Sequence, residues 1–474
     1  MLKNLKVDIA VIGAGAGGLS VAAGAVQMGV SVALIESGKM GGDCLNYGCV
    51  PSKSLLAAAK AAHTMRLAEQ FGLTSVEPKV NIEKVMTSIQ EVIASIAVND
   101  SVERFEKLGV HVLQEKGCFQ DENTLRAGDT LIEAKRFIIA TGSTPAIPSV
   151  PGLDQVPFFT NESIFTLHES PSHLIVIGGG PIGCELAQAF LLLGIQVTLV
   201  EALSILPRDE QDLVEILRTQ LLLQGLNLQE NTKIVGVSQA DKNIEITIEN
   251  HQGAHTLTGS HLLVATGRHP NVNSLQLEAA NVQYSNKGIE VDSHLRTTNK
   301  KIYAIGDVIG GYQFTHMANY HAGIVLRNLL FRLPVKVDYR AVPWVTYTQP
   351  ELAHVGLTSE QARKQNLKTR IVSWQFSEND RAQTEHETLG EIKIITHKRG
   401  KILGASILGP QAGELITPWV SAIKHGKSMS WMADLIVPYP TLSEINKRVA
   451  GEYYTPMLFS WRTKWLVKIL KIFW

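Results

Sequence analysis

Two stretches of the chain show the same succession of apolar and glycine positions. Residues 7–36 read VDIAVIGAGAGGLSVAAGAVQMGVSVALIE, and residues 174–201 read LIVIGGGPIGCELAQAFLLLGIQVTLVE. Each begins with a short apolar run, passes a glycine turn into an alanine- and leucine-rich stretch, and ends with a β-branched run closed by glutamate. This order predicts strand, helix and strand in succession, which is a βαβ unit.

Both units carry a dinucleotide-binding fingerprint. A lone Gly-x-Gly-x-x-Gly motif is weak evidence, but here two copies occur, each with its acidic residue 18 positions after the third glycine. The alternative, glycines that serve only turns and packing, would require this pattern to arise twice. The predicted nucleotide-binding residues are Gly13, Gly15, Gly18 and Glu36 in the first unit and Gly178, Gly180, Gly183 and Glu201 in the second.

The acid of the second unit bears on the choice of nicotinamide cofactor. The Glu201 carboxylate would repel a 2′-phosphate, and residues 202–204 bring no arginine to receive one. NADH is therefore favoured over NADPH. Arg208 lies further along the chain and keeps NADPH open as the alternative.

The same short phrase follows each unit at a distance, FIIATGSTP at 137–145 and LLVATGRHPN at 262–271. A further strand and turn, KIYAIGDV, comes at 301–308. From about residue 340 the pattern changes to hairpin-like and helical segments without a glycine fingerprint. The pattern predicts an α/β protein with two Rossmann-like domains and a third domain of α+β type.

Composition fits a protein of about three domains, with 474 residues, 45% hydrophobic and 19% charged. Lys plus Arg and Asp plus Glu number 44 each, so no net charge attracts nucleic acid. Four cysteines cannot form a disulfide framework and indicate chemistry in a reducing compartment. Neither a secretory leader nor an apolar run of about 18 residues is recognisable. We therefore expect a cytoplasmic protein, and the histidine and cysteine spacings predict no metal site.

Two of the cysteines lie five positions apart in the segment GGDCLNYGCVPSK, residues 41–53. In a regular helix such positions have Cα atoms roughly 8–9 Å apart, whereas a disulfide needs less than about 7 Å. A bridge between Cys44 and Cys49 therefore requires an irregular backbone, for which Gly48 and Pro51 are suited. The alternative is two unpaired cysteines packed near a helix start.

This segment resembles GGTCxNxGCxPSK, the active-site motif of the class I flavoprotein disulfide reductases, which include dihydrolipoamide dehydrogenase, glutathione reductase and mercuric reductase. The resemblance covers almost the whole chain, since both βαβ units, the cysteine segment, the Gly-Asp turn and the C-terminal region follow in the family's order. It implies that electrons pass from NAD(P)H through FAD to a Cys44–Cys49 disulfide and then to an acceptor.

The resemblance also implies the cofactor residues. For FAD, with Glu36 on the ribose and Asp307 near the ribityl–pyrophosphate chain, they are Gly13, Gly15, Gly18, Glu36, Gly42, Lys53, Thr141, Gly142, Gly306 and Asp307. For the nicotinamide cofactor they are Gly178, Gly180, Gly183, Glu201, Gly267 and Arg268. His316, after the Gly-Asp turn, is expected near the flavin in a structural or contacting role.

Roles in catalysis follow in the same way. Cys49 corresponds to the thiol beside the flavin and Cys44 to the interchange thiol that faces the substrate. Lys53 would pair with Glu185 near flavin N5, where a positive charge favours the reduced flavin. The other two cysteines, Cys118 and Cys184, are expected to be small buried residues.

The domain limits that the resemblance implies are residues 1–150 and 272–339 for a discontinuous FAD-binding domain and 151–271 for the NAD(P)-binding domain. Residues 340–474 would form the dimerisation domain of a homodimer. The family places the C-terminal site residues of one subunit over the cysteines of the other.

One position departs from the family. Members usually carry an HPxxxE signature, whose histidine exchanges the proton of the interchange thiol, but residues 439–444 read YPTLSE. A phenol with a pKa of about 10 accepts protons poorly at neutral pH, unlike imidazole at about 6.5. Tyr439 can still donate a hydrogen bond, with Glu444 as a candidate acceptor. Turnover of lipoamide or glutathione should fall by a factor of about 10² or more.

Mercuric reductases share this tyrosine, but they add a cysteine pair near the C-terminus, and here the last cysteine is Cys184. Mercury reduction is therefore not favoured. Two other functions stay open: a membrane-peripheral NADH dehydrogenase that reduces a quinone or a protein, and a non-catalytic flavoprotein scaffold. Quinone reduction that survives Cys44→Ser would indicate the first, and a flavin that NADH cannot reduce would indicate the second.

The segment 458–474 ends in WRTKWLVKILKIFW and predicts a basic amphipathic helix. Its lysines, Lys464, Lys468 and Lys471, form a narrow stripe among apolar and aromatic residues. Such a helix is too short to span a bilayer but suits a membrane interface. Packing against the partner subunit is the alternative.

Overall fold

A computed structural model describes residues 2–474. Within this range no helix combines the length and the apolar character that crossing a membrane requires. The chain forms three main β-sheets in succession, and two of them are built around parallel strands.

The first sheet comes mainly from the chain up to Pro145. Its region contributes β1 (Lys3–Ile12), β2 (Val32–Ile35), β3 (His111–Leu113), β4 (Gly117–Phe119), β5 (Thr124–Ala127), β6 (Thr130–Ile139) and a separate short strand, β7 (Ser143–Pro145). The helices there are α1 (Ala16–Gln27), α2 (Gly42–Asn46), α3 (Cys49–Arg66), α4 (Ile82–Ala97) and α5 (Val102–Lys107). The sheet order is β3-β2-β1-β6-β5-β4, with β1, β2, β3 and β6 parallel and the last two strands antiparallel.

The second sheet is parallel, in the order β10-β9-β8-β14. Its strands are β8 (His173–Ile177), β9 (Gln196–Val200), β10 (Asn227–Gln229) and β14 (His261–Val264), and a separate antiparallel sheet consists of β11 (Lys233–Ala240), β12 (Asn243–Asn250) and β13 (Gly253–Gly259). The helices are α6 (Pro181–Leu192) and α7 (Gln211–Leu223).

The chain then returns to the first sheet. Three short strands, β15 (Arg268–Pro270), β16 (Tyr284–Ser285) and β17 (Gly288–Ile289), pair outside the first sheet, and β18 (Ile302–Ala304), which joins it, is followed by α8 (Thr315–Leu330). Strand β15 pairs with β7, and β18 pairs with β6 in parallel. The two parallel sheets are therefore joined by a two-stranded link beside the carboxyl ends of their strands.

The third sheet is antiparallel, in the order β19-β20-β23-β22-β21. Its strands are β19 (Pro343–Thr346), β20 (Glu351–Gly356), β21 (Thr369–Gln375), β22 (Glu391–His397) and β23 (Ile402–Gly409). The helices are α9 (Ser359–Lys364), α10 (Asp380–Glu385), α11 (Ala412–Leu415), α12 (Thr417–Lys424), α13 (Met429–Ala433), α14 (Glu444–Glu452), α15 (Thr455–Leu458) and α16 (Trp461–Leu470). The predicted class, two α/β units followed by an α+β unit, is confirmed.

The glycine fingerprints form the same close contacts in both βαβ units. Gly13 has a φ of +104°, and a Cβ atom there would lie 2.4 Å from the carbonyl oxygen of Ala140. A Cβ atom at Gly18 would lie 1.9 Å from the carbonyl oxygen of Gly13, and one at Gly183 would lie 1.8 Å from that of Gly178. Each helix therefore packs so closely on its strand that only glycine fits.

Candidate active site

A cavity of about 1490 Å³ lies at the carboxyl ends of the two parallel sheets and reaches the cysteine segment. Ligands of open parallel sheets bind at this edge, because the turns after successive strands meet there. The predicted residues that line it are Gly13, Gly15, Glu36, Gly42, Cys44, Cys49, Lys53, Thr141, Gly142, Gly180, Glu185, Glu201, Gly267, Arg268, Gly306 and Asp307. The remaining glycines of the fingerprints, Gly18, Gly178 and Gly183, lie behind it and hold helix to strand.

The first glycine turn is open toward the cavity. Gly15 stands at the N-terminus of α1, and a Cβ atom there would meet only the Cα atom of Gly42, at 3.9 Å. The Glu36 carboxylate accepts hydrogen bonds from the backbone N–H groups of Ala14 at 2.6 Å and Gly38 at 2.7 Å. Free helix N–H groups and a fixed acid beside them suit the pyrophosphate and ribose of an adenine dinucleotide. The residues present therefore fit the expected FAD.

The second turn repeats this geometry. A Cβ atom at Gly180 would meet no atom within 4 Å, which leaves space for a pyrophosphate at the start of α6. The Glu201 carboxylate accepts from the N–H groups of Gly179 at 2.6 Å and Leu203 at 2.9 Å. Arg208 also lines the cavity.

The cysteine segment is irregular between its two thiols, as predicted. Helix α2 ends at Asn46 and α3 begins at Cys49, and Gly48 between them has φ −117° and ψ −104°. Gly42, at the start of α2, approaches Gly15 so closely that a Cβ atom would lie 2.7 Å from its Cα atom. The segment thus sits directly on the first glycine turn.

All four cysteines are free thiols in this structure, so the Cys44–Cys49 pair is in its reduced form. The pKa of Cys49 is lowered to about 6, first by a hydrogen bond from the Cys44 thiol and then by the Thr315 hydroxyl and the Lys53 ammonium. The Cys49 Sγ lies 3.4 Å from Thr315 Oγ1, at the start of α8. The same interaction with Cys49, together with burial, raises the pKa of Cys44. Cys49 is therefore the thiol that ionises first.

Lys53 and Glu185 form the predicted pair. Lys53 Nζ lies 2.6 Å from Glu185 Oε2, and 4.4 Å from the centre of the Tyr347 ring. The second Glu185 oxygen accepts from the Tyr347 N–H at 2.9 Å. Helix α6 and the start of the third sheet therefore hold the ammonium one helical turn from Cys49.

Arg268 lines the cavity, and its polar contacts lie in the first unit. Its side chain, assigned from sequence to the nicotinamide site, points to the first unit: its guanidinium lies 3.1 Å from Asp43 Oδ1 and donates to Ser143 Oγ at 2.7 Å. Ser143 in turn donates to Asp307 at 2.7 Å, and burial raises the pKa of Asp307. The reason is the β7–β15 pairing, which sets Arg268 opposite Pro145. No sequence pattern predicted this pairing. The one visible signal was Asp43, the partner of Arg268, which stands where the family motif has threonine.

Tyr439 and Glu444 do not line the cavity of their own chain. The Tyr439 side chain is exposed, and its hydroxyl donates to Asp380 Oδ2 at 2.7 Å, which raises the pKa of the phenol. Glu444 pairs with Arg448 at 2.6 Å. The candidate hydrogen bond from Tyr439 to Glu444 is therefore corrected, because Asp380 at the start of α10 takes the hydroxyl.

Three further predictions concern lone residues. His316 lines the cavity and contacts the carbonyl oxygen of Pro343 at 2.9 Å, and burial lowers its pKa. Cys184 is buried, as expected, and burial raises its pKa. Cys118 is only half-buried, because it lies on the edge strand β4.

Comparison with known proteins adds the family. Residues 7–322 match the family described as pyridine nucleotide-disulphide oxidoreductase, and residues 342–450 match its dimerisation domain. A mercuric reductase of Streptomyces lividans is 34% identical over 454 residues, 94% of this chain and 96% of the relative. A dihydrolipoyl dehydrogenase of Bacillus subtilis (strain 168) is 34% identical over 448 residues, 92% and 96% of the two chains. The HOCl-induced flavoprotein disulfide reductase RclA from Escherichia coli superposes with a TM-score of 0.85 at 28% identity, over 94% and 99% of the two chains.

Proposed function

Because the chain belongs to the pyridine nucleotide-disulphide oxidoreductase family, we propose that it passes electrons from NADH, through bound FAD and the Cys44–Cys49 pair, to an acceptor that needs no histidine base. As a family member it is a flavoprotein oxidoreductase that acts on a disulfide and uses FAD and NAD(P)H. Its dimerisation domain makes it a homodimer.

The environment of Cys49 carries this proposal. A thiol whose pKa is lowered to about 6 is ionised at neutral pH, and Cys49 lines the same cavity as both glycine turns. Bound at the first turn, FAD supplies the two-electron chemistry that connects a nicotinamide to a disulfide. A thiolate held there by Thr315 and Lys53 is the partner that this chemistry needs.

The two thiols have different roles in the transfer of electrons to the acceptor. Because its pKa is raised, Cys44 must first lose its proton to water; its thiolate then attacks one sulfur of a disulfide acceptor and forms a mixed disulfide, while the first acceptor thiolate leaves. The Cys49 thiolate then attacks Cys44, releases the second acceptor thiolate and re-forms the Cys44–Cys49 bond. Two electrons pass to the acceptor, whose leaving thiolates must take up two protons.

Proton supply limits the choice of acceptor. Tyr439, with its pKa raised by Asp380, is a weak proton donor and acceptor at neutral pH. A disulfide whose thiolate leaves without prior protonation, such as an aromatic disulfide with a low thiol pKa, should react faster than lipoamide. Steady-state rates with the two disulfides test this directly, and an equal or faster rate with lipoamide would contradict it.

NADH is the proposed reductant. The Glu201 carboxylate is fixed by two backbone N–H groups and points its charge to the place where a 2′-phosphate would bind. Comparison of kcat/KM for NADH and NADPH, with Glu201→Gln as the matched variant, measures this preference. The variant should gain on NADPH more than on NADH.

Anaerobic titration with NADH tests the whole proposal. Long-wavelength absorption from the Cys49 thiolate against the oxidised flavin should appear during titration of the wild type, should be present before NADH is added in Cys44→Ser, and should be absent throughout in Cys49→Ser. Equal absorption in both variants would show that the thiol roles are reversed or absent. A flavin that NADH leaves oxidised would identify a scaffold instead of an enzyme.

A further inference from the structure

The basic aromatic tail, residues 458–474, lies beyond the dimerisation-domain match, which ends at residue 450. Residues 453–474 contain no aspartate or glutamate. They do carry four basic side chains: Arg462, Lys464, Lys468 and Lys471. In a chain whose total charges balance, this segment therefore concentrates positive charge.

The tail is helical but hardly packed on its own chain. Ser460 caps the start of α16 by accepting from the Thr463 N–H at 3.2 Å. The tryptophans are 73%, 61% and 88% exposed at Trp461, Trp465 and Trp474. Among large apolar residues of the described chain, such exposure is concentrated here, and it calls for a partner.

The helix sorts its side chains by type. At 3.6 residues per turn, Lys464 and Lys468 project within about 40° of each other, and Trp465 projects about 60° from Lys468 and about 100° from Lys464. Leu466 and Leu470 project roughly 120–160° away from these lysines. This arrangement matches a bilayer interface, in which the lysines and tryptophan lie among the headgroups and the apolar face points to the acyl chains.

We propose that the basic aromatic tail docks the enzyme on an anionic lipid surface, with α16 lying in the interface plane. Lysines are depleted in protein interfaces, and an anionic headgroup layer complements four basic groups that have no acidic neighbour in the tail. At 10 residues α16 is about 15 Å long, half of a bilayer core, so it cannot span one. A homodimer presents two tails, and paired weak anchors hold far better than one. This inference is independent of the acceptor.

Vesicle flotation of the FAD-loaded full-length protein is the test. Vesicles of phosphatidylcholine with phosphatidylglycerol should retain the protein at low salt, and pure phosphatidylcholine vesicles should not. Raising the salt to about 0.5 M should release it, because screening weakens the attraction between lysines and lipid.

Two triple variants separate the tail from general surface charge. Lys464→Gln, Lys468→Gln and Lys471→Gln together should lower partition by at least about 10²-fold, since each lysine near an anionic surface contributes about fivefold and each tail of the dimer loses three. Lys233→Gln, Lys242→Gln and Lys287→Gln, three exposed lysines outside the cavity, should leave partition unchanged. NADH oxidation should be equal in all three proteins.

Three outcomes would overturn the proposal. The wild type could fail to float with anionic vesicles, or the tail variant could float as well as the control. Alternatively, the tail triple variant or Trp461→Ala with Trp465→Ala could convert dimers to monomers in sedimentation, which would assign the tail to the partner subunit.

Discussion

Cys49 gains its acidity from three neighbours, and this gives its thiolate a defined pH range. Since its pKa is lowered to about 6, the thiolate predominates above that pH and is protonated below it. We expect the long-wavelength absorption of the two-electron-reduced enzyme to disappear on acidification with a midpoint near pH 6. Lys53→Met should move this midpoint upward, because it removes a positive charge beside the sulfur. An unchanged midpoint in Lys53→Met would show that the ammonium does not act on Cys49.

Tyr439 is the residue at which family chemistry can be restored by one change. Tyr439→His supplies a base with a pKa near 6.5, so lipoamide reduction should rise by about 10²-fold. Tyr439→Phe, the matched control, should leave the low lipoamide rate unchanged, because no effective base is lost. A large fall in Tyr439→Phe would show that the phenol already performs the proton transfer.

Arg268 compensates two acidic groups, Asp43 and Asp307, in a largely buried position. Arg268→Gln leaves both carboxylates without their cation, and we expect the free energy of unfolding to fall by about 3 kcal/mol. Asp43→Asn in the Arg268→Gln background should recover part of this loss. Chemical denaturation of Arg268→Gln, Asp43→Asn and the double variant, all loaded with FAD, measures this recovery; additive losses would mean that Asp43 and Arg268 do not interact.

The sequence predicted the nucleotide glycines because their spacing is local and each spacing has one physical reason. Arg268 could not be placed in the same way. Its partners depend on the antiparallel pairing of β7 with β15, more than 120 residues apart, and three-residue strands leave no periodicity to read. Tyr439 was recognised as a departure, but its contact with Asp380 arises from the packing of α10 beside the 439–444 turn.

At the scale of elements, the two βαβ units share one construction and therefore allow a matched test. Gly18→Ala would put a Cβ atom 1.9 Å from the Gly13 carbonyl oxygen, and Gly183→Ala would put one 1.8 Å from that of Gly178. We expect Gly18→Ala to lower FAD content. Gly183→Ala should keep FAD but raise the KM for NADH. Absorbance spectra and steady-state kinetics distinguish the two, and identical defects would contradict separate nucleotide sites.

These units were readable from sequence because apolar runs, glycine turns and a closing glutamate recur at fixed distances. Other elements were not. Strands β4 and β5 extend the first sheet with only three and four residues, too short to show alternation. The break at Tyr47 and Gly48 was expected only from the distance that a disulfide would need.

In the whole molecule, Tyr439 and Glu444 do not line the cavity of their own chain. The family arrangement would bring them to the cysteines of the partner, so each active site would draw on both chains of the homodimer. If this is correct, a histidine introduced at position 439 acts only on the other subunit's thiols.

A heterodimer of two tagged chains distinguishes action within a chain from action across the dimer. One chain carries Tyr439→His together with Cys44→Ser, and the other is wild type. Across the dimer, the new base meets the intact cysteine pair, and lipoamide reduction should reach about half that of the Tyr439→His homodimer. Within a chain, the base meets only the inactive pair, and the rate should be about half that of the wild type, which has two intact pairs. The converse heterodimer, with Tyr439→His on one chain and Cys44→Ser on the other, should show the opposite result, so that the pair of measurements excludes an effect of altered assembly.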